Sequence, residues 1–189
     1  MRIILVVFAL FTLTACNDDP TARPTGYMRI ALPFSDSTTA LKPEHCGFEL
    51  AYNTKAVWRY KDTANCYVDL LYPSIMSTVQ FTYKPVEQNL EELVVDAQKL
   101  AYKHTVKASG MRERFFSYPK KKVYGMYYEM SGASATTTQF YATDSANHFL
   151  RGVLYHYSSP NPDSLAPVTQ FMREEIQTLI STLAWNEEQ

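Results

Sequence analysis

With 189 residues, 46% hydrophobic and 14% aromatic, the chain is long enough to bury one substantial core and short for two. Lys plus Arg number 18 against 19 Asp plus Glu, so there is no field of one sign to draw the chain to nucleic acid or to an anionic membrane surface. Only 6 Gly beside 14 Tyr and 10 Phe argue against disorder, because so much aromatic surface is costly to leave in water.

Arg2 is followed by an apolar run over 3–13 that is too short to cross a bilayer as a stable helix. This is the layout of a signal peptide covering 1–15. It ends on Leu13-Thr14-Ala15-Cys16, which resembles the bacterial lipobox, where a Cys takes diacylglycerol on its thiol and becomes an acylated N-terminus after cleavage. Several acyl chains on one residue give stable anchoring where one alone is marginal, so Cys16 is the expected lipidation site. Residues 16–26 read as a polar, Pro-bearing tether without periodicity. Its Asn17-Asp18-Asp19 resembles, in Bacteroidota-like lipoproteins, a signal for export to the outer membrane or surface. Other bacteria read Asp in the second position as inner-membrane retention; the outer membrane is the favoured destination.

Residues 27–32 alternate as a first strand ended by Pro33, and 35–42 read as loop. Segments 46–52, 56–60, 66–72 and 75–83 predict an antiparallel meander, with Val79, Phe81 and Tyr83 on one face of the last strand and Gln80, Thr82 and Lys84 on the other. Asn89, with Glu92 three residues on, predicts a capped helix start. Leu90, Leu93, Val94, Ala97, Leu100, Ala101, His104 and Ala108 form that helix's apolar face, and Ser109-Gly110 ends it. Strands follow at 111–118, 123–131, 136–143 and 148–157. A Pro/Asn/Ser elbow then leads into the most regular amphipathic helix. Asp163 or Ser164 is its expected cap, Pro167 falls in its first turn, and Val168, Phe171, Met172, Ile176, Leu179, Ile180 and Leu183 make one buried face.

The order strands, helix, strands, helix, with short connections that suit antiparallel neighbours, predicts a single α+β domain over 27–189. A mainly antiparallel β-sheet packs against two amphipathic helices, with one helix on each face as an open option. The arrangement resembles the Mog1/PsbP-like folds.

The chain also resembles a known family. Thr143-Asp144-Ser145, His148-Phe149-Leu150-Arg151-Gly152, the run from Pro160 to Val168 and the closing Trp185 are similar to the C-terminal signature of the gliding-motility lipoprotein GldD of Bacteroidota. Matching stretches at Gly26 to Pro33, Asn89 to Glu92, Leu100 to His104 and Val123-Tyr124-Gly125 extend the resemblance over nearly the whole mature chain. It implies a membrane-anchored component of gliding motility and the associated type IX secretion, whose partners are other envelope proteins of that apparatus.

Residues that could carry chemistry are few. Cys46 and Cys66 remain after lipidation, both at strand starts in a chain bound for an oxidising envelope, and either a disulfide or two buried thiols fits them. The histidines, His45, His104, His148 and His156, have no HExxH spacing and no Cys/His cluster, so no metal and no cofactor is expected. Asp144-Ser145 near His148, and Asp163-Ser164 with His156, lack the elbow and the oxyanion glycines of a hydrolase; turn and cap duties explain them. Arg151, inside an apolar strand, is expected either to snorkel to an edge or to pair with Asp144 or Glu129.

Two functions follow. The first is a non-enzymatic lipoprotein acting through protein contacts, with no catalytic residue and no nucleic-acid partner. The alternative is an envelope hydrolase or a small-ligand-binding lipoprotein, which a pocket lined by His104, His148 or Arg151 would favour.

Overall fold

The computed structural model describes residues 30–158 and 161–186. The expected signal peptide over 1–15, the expected lipidation site Cys16 and the expected tether over 16–26 lie outside the described residues. The strands are β1 (Thr38–Leu41), β2 (Phe48–Asn53), β3 (Val57–Asp62), β4 (Tyr67–Tyr72), β5 (Ser77–Pro85), β6 (Ala108–Tyr118), β7 (Val123–Gly132), β8 (Thr136–Thr143), β9 (His148–His156) and β10 (Ala184–Trp185). The helices are α1 (Leu90–Lys103) and α2 (Pro162–Thr182).

The large sheet has seven strands in the order β3-β4-β5-β9-β8-β7-β6, every neighbour antiparallel. After β5 the chain crosses through α1 to the far edge, then returns strand by strand until β9 closes against β5. This is the expected α+β arrangement, mainly antiparallel and served by two helices.

The smaller sheet, β1-β2-β10, corrects the meander. β2 pairs with β1 and β10 and not with β3. The reason lies at Asn53, whose Nδ2 donates to the Pro33 carbonyl at 2.9 Å while its Oδ1 accepts the Lys55 N–H at 2.8 Å. The turn read at 53–54 exists, but it hands the chain to another sheet. The expected strand at 27–32 is also corrected. Its described part, 30–32, is not strand, and Ile30 and Leu32 pack on the core without a ladder. The first strand is β1, inside the expected loop, with only Leu41 buried. Backbone pairing, not side-chain pattern, makes it a strand.

Strand alternation assigns one helix to each face of the large sheet. Leu150 and Leu154 of β9, Val79 and Phe81 of β5 and Val68 and Leu70 of β4 share a core with Phe48 and Leu50 of β2 and with Phe171, Met172, Ile176 and Leu179 of α2. Burying each of those helix side chains contributes about 1.5–3 kcal/mol. On the opposite face Phe149 packs with Leu93 and Ala97 of α1, and Tyr128 and Met130 pack with Ala101. Gly152 is required where it stands, because a Cβ there would run into the ring of Phe140 on β8.

The helix ends differ in detail from expectation. The cap of α2 is Asn161, whose Oδ1 accepts the Ser164 N–H at 3.3 Å, with Pro162 in the first turn and Pro167 inside the helix. Asn89 precedes α1 but its side chain accepts the Glu87 N–H instead of capping. A 3-10 turn over His104–Lys107 then leads directly into β6, which takes in Ser109 and Gly110.

Candidate functional site

The signature residues gather where β9 begins. Asp144 Oδ1 accepts the backbone N–H groups of Ala146, Asn147 and His148 at 2.9, 2.8 and 2.8 Å, while Ser145 takes a left-handed φ of 71°. Burial opposes ionisation of Asp144, but those donors outweigh it and hold the carboxyl below the usual range. The turn thereby sets the start of β9 and the ring of His148. His148 is buried, Nδ1 lies 2.8 Å from the Tyr83 hydroxyl, and the Trp185 indole stacks on its other side. Trp185 pairs in register with Phe48, and its Nε1 donates to the Lys122 carbonyl at 2.9 Å. Gly47 packs so closely that a Cβ would strike both the Tyr83 hydroxyl and His148 Nδ1. Beside it Cys46 and Cys66 are joined as a disulfide, with Cα atoms 5.8 Å apart, within the ordinary span. The cluster ties the small sheet to the large one.

The histidine at the other end of β9 is separate. His156 Nδ1 lies 2.8 Å from Ser77 Oγ, and Nε2 lies 3.3 Å from Thr169 Oγ1 and 3.4 Å from Thr137 Oγ1. Burial pushes its pKa down to about 4. A small cavity of about 40 Å³ beside it has room for a few waters. Neither the imidazole of His148 nor that of His156 hydrogen-bonds to the side chain of Asp144, Ser145, Asp163 or Ser164, so the structure does not assemble the hydrolase arrangement from them. His45 is exposed with a left-handed φ of 61°. Among the described residues no three of His, Cys, Asp and Glu come together as metal ligands.

Arg151 departs from expectation. Its Nη2 donates to Gln139 Oε1 at 2.8 Å, and neither Asp144 nor Glu129 pairs with it. The reason is facial: Glu129 sits on the α2 side of the sheet, 3.9 Å from Arg173 and 3.5 Å from Arg114, whereas Arg151 lies on the α1 side. Together with Tyr67, Thr82 and Lys84, Arg151 lines a cleft of about 230 Å³ between α1 and the sheet. Burial lowers the pKa of its guanidinium. His104 does not line the cleft; it opens the 3-10 turn after α1, and burial followed by the charge of Arg151 lowers its pKa.

Sequence reasoning missed Gly47, Gln139, Lys84 and the role of Tyr83. Their roles come from pairing across strands distant in sequence, though Gly47 next to Cys46 in a glycine-poor chain was a usable signal.

A sequence model of the family described as gliding motility lipoprotein GldD matches residues 17–185, from just after Cys16 to Trp185. The chain belongs to that family. The GldD match therefore ends on the residue that stacks against His148. No curated protein matches the sequence. Among solved structures the chain is similar to the solution structure of cyanobacterial PsbP (CyanoP) from Synechocystis sp. PCC 6803. The identity is 10% and the TM-score 0.49, covering 86% of this chain and 99% of that one. No helix among the described residues is long and apolar enough to cross a membrane.

Proposed function

We propose that the protein is a non-enzymatic component of the gliding apparatus and of the type IX secretion associated with it, acting through contacts with other envelope proteins. Residues 1–15 serve as signal peptide, Cys16 is the lipidated N-terminus, 16–26 is the tether, and 27–189 is one domain held at the membrane, with the outer membrane favoured. The observation that carries this reading is the GldD family match over 17–185. The internal engagement of the signature side chains supports it, since Asp144, His148 and Trp185 are spent on one another, on backbone and on Tyr83.

Affinity capture of the lipidated protein from crosslinked envelopes, scored for motor and secretion-ring components, tests the reading. Enrichment of those components over a Cys16→Ser control is expected. Capture that returns none of them, or a Cys16→Ser protein that fractionates with membranes as before and carries no N-terminal lipid mass in either form, would refute it.

A further inference from the structure

We propose that the cleft between α1 and the large sheet is a binding site for a small apolar monocarboxylate, whose carboxylate is held by Arg151. The proposal takes up the ligand-binding alternative, favoured by a pocket that Arg151 lines, and adds to the contact role described above, which stands whether or not the cleft takes a ligand.

Arg151 sits mid-strand in β9, flanked in register by Thr82 of β5 and Tyr141 of β8. A guanidinium has five N–H donors, and the hydrogen bond made here goes to the neutral amide oxygen of Gln139. That amide is fixed in turn, because its Nε2 donates to Thr136 Oγ1 at 2.9 Å. The Gln139 oxygen is thus aimed at Arg151 by a locked partner. Among the described residues no carboxylate lies within ion-pair distance of Arg151; Asp69, on the same face, is taken by Arg59 at 3.7 Å. A half-buried cation without a counter-charge is costly, and a methionine or leucine would fill the position at less cost. An arriving anion supplies the missing charge.

The neighbouring side chains define what kind of anion. Tyr67 pairs with Thr82, so two hydroxyl-bearing side chains adjoin Arg151 in one cross-strand row, and Lys84 pairs with Phe149 in the next. The opposite wall is apolar, formed by Leu93, Ala97 and Leu100 of α1. A polar, cationic floor beneath an apolar wall selects a ligand with one charged end and a hydrocarbon body. The planar fork of Arg matches a carboxylate in a bidentate manner. Asp96 lies on the lining as well, 3.9 Å from Lys99, and disfavours a dianion such as a phosphate monoester. At about 230 Å³ the cleft holds on the order of ten non-hydrogen atoms, taking roughly 30 Å³ of liquid per water as the yardstick.

The probe is 3-phenylpropanoate, titrated by ligand-observed NMR into the full lipidated chain in zwitterionic phosphatidylcholine nanodiscs. The neutral 3-phenylpropanamide and phenyl phosphate are the comparators. One saturable site is expected, with the amide and the phosphate each weaker by about tenfold or more, the size of one charge-assisted hydrogen-bonded pair. Arg151→Gln should bring the acid down to the level of the amide. Should that variant fail to fold, Leu100→Trp, which fills the mouth from an exposed helix position, should abolish binding of acid and amide alike. No saturable binding of the acid, equal binding of acid and amide, tighter binding of the phosphate, a folded Arg151→Gln that binds like wild type, or undiminished binding by Leu100→Trp overturns the proposal.

Discussion

The indole of Trp185 lies flat on the imidazole of His148, with ring centroids 5.2 Å apart and planes 3° from parallel. One ring comes from the last described strand and the other from the first residue of β9, so the contact joins the small sheet to the large one at the C-terminal end of the family match.

Removing that contact should detach β10. Trp185→Ala loses the stack and the hydrogen bond to Lys122, and for a partly buried indole we expect about 2 kcal/mol, below the range for a fully buried Trp. Trp185→Phe keeps a stacking ring and should lose about half as much. Urea midpoints of the two variants decide it; equal stability of Trp185→Ala and wild type would show that the stack does not hold the sheets together.

The disulfide should matter comparably. Cys46 and Cys66 are 20 residues apart, and opening such a loop costs about 3 kcal/mol on the chain-entropy estimate. Peptide mapping without reductant should find the pair linked, and dithiothreitol should lower the urea midpoint of wild type but not of Cys46→Ala/Cys66→Ala. Free alkylation of both thiols in unreduced protein would contradict the bridge.

Much of this architecture was readable from the residues, and the failures share a cause. The three- and four-residue recurrence from Val168 to Ile180 marks the buried face of α2, and the alternation at Val79, Phe81 and Tyr83 marks the face of β5 that meets it. Such signals work because one element's own burial writes them. β1 carries no such signal, since only Leu41 is buried, and β2 looks like part of a meander until Asn53 is seen holding Pro33. The partner of Arg151 was misjudged for the same reason. Charge alone points to Asp144 or Glu129, whereas the face of the sheet, set by pairing between β8 and β9, leaves Gln139 within reach. Long-range register decides such contacts, and no single segment records it.

His156 makes stability depend on pH. Burial puts its folded pKa at about 4, below the ordinary value of 6.5, so between these limits the unfolded chain binds a proton that the folded one refuses. Stability is then full above pH 6.5 and falls on acidification, by about 3 kcal/mol at pH 4 from this residue. Asp144, with its carboxyl held below the usual range, adds a further loss at still lower pH, as pH falls through its folded pKa. His156→Gln should flatten the profile between pH 6.5 and 4 while leaving the acid limb of Asp144. Parallel slopes for wild type and variant across that window would assign the dependence to other groups.

If function resides in surface contacts, then variants of the residues that resemble catalytic ones should affect motility only as far as they affect folding. His104→Ala, His148→Ala, Asp144→Asn and Ser164→Ala remove a half-buried ring, a stacked ring, the charge of the turn acceptor and a hydroxyl in the first turn of α2. Losses of about 1–2 kcal/mol are typical of such changes. β6 offers the contrasting substitution. It ends the seven-stranded sheet, pairs with β7 alone among the described strands, and exposes Phe115 at 63%. A free strand edge bearing an exposed aromatic is a surface suited to a protein partner. Phe115→Glu should therefore leave the unfolding midpoint near that of wild type yet reduce gliding of a complemented deletion strain severely. Thermal unfolding and spreading assays on these five variants separate the possibilities. A stably folded Ser164→Ala or His104→Ala strain that cannot glide, beside a Phe115→Glu strain that glides normally, would move the function from the surface to a buried site.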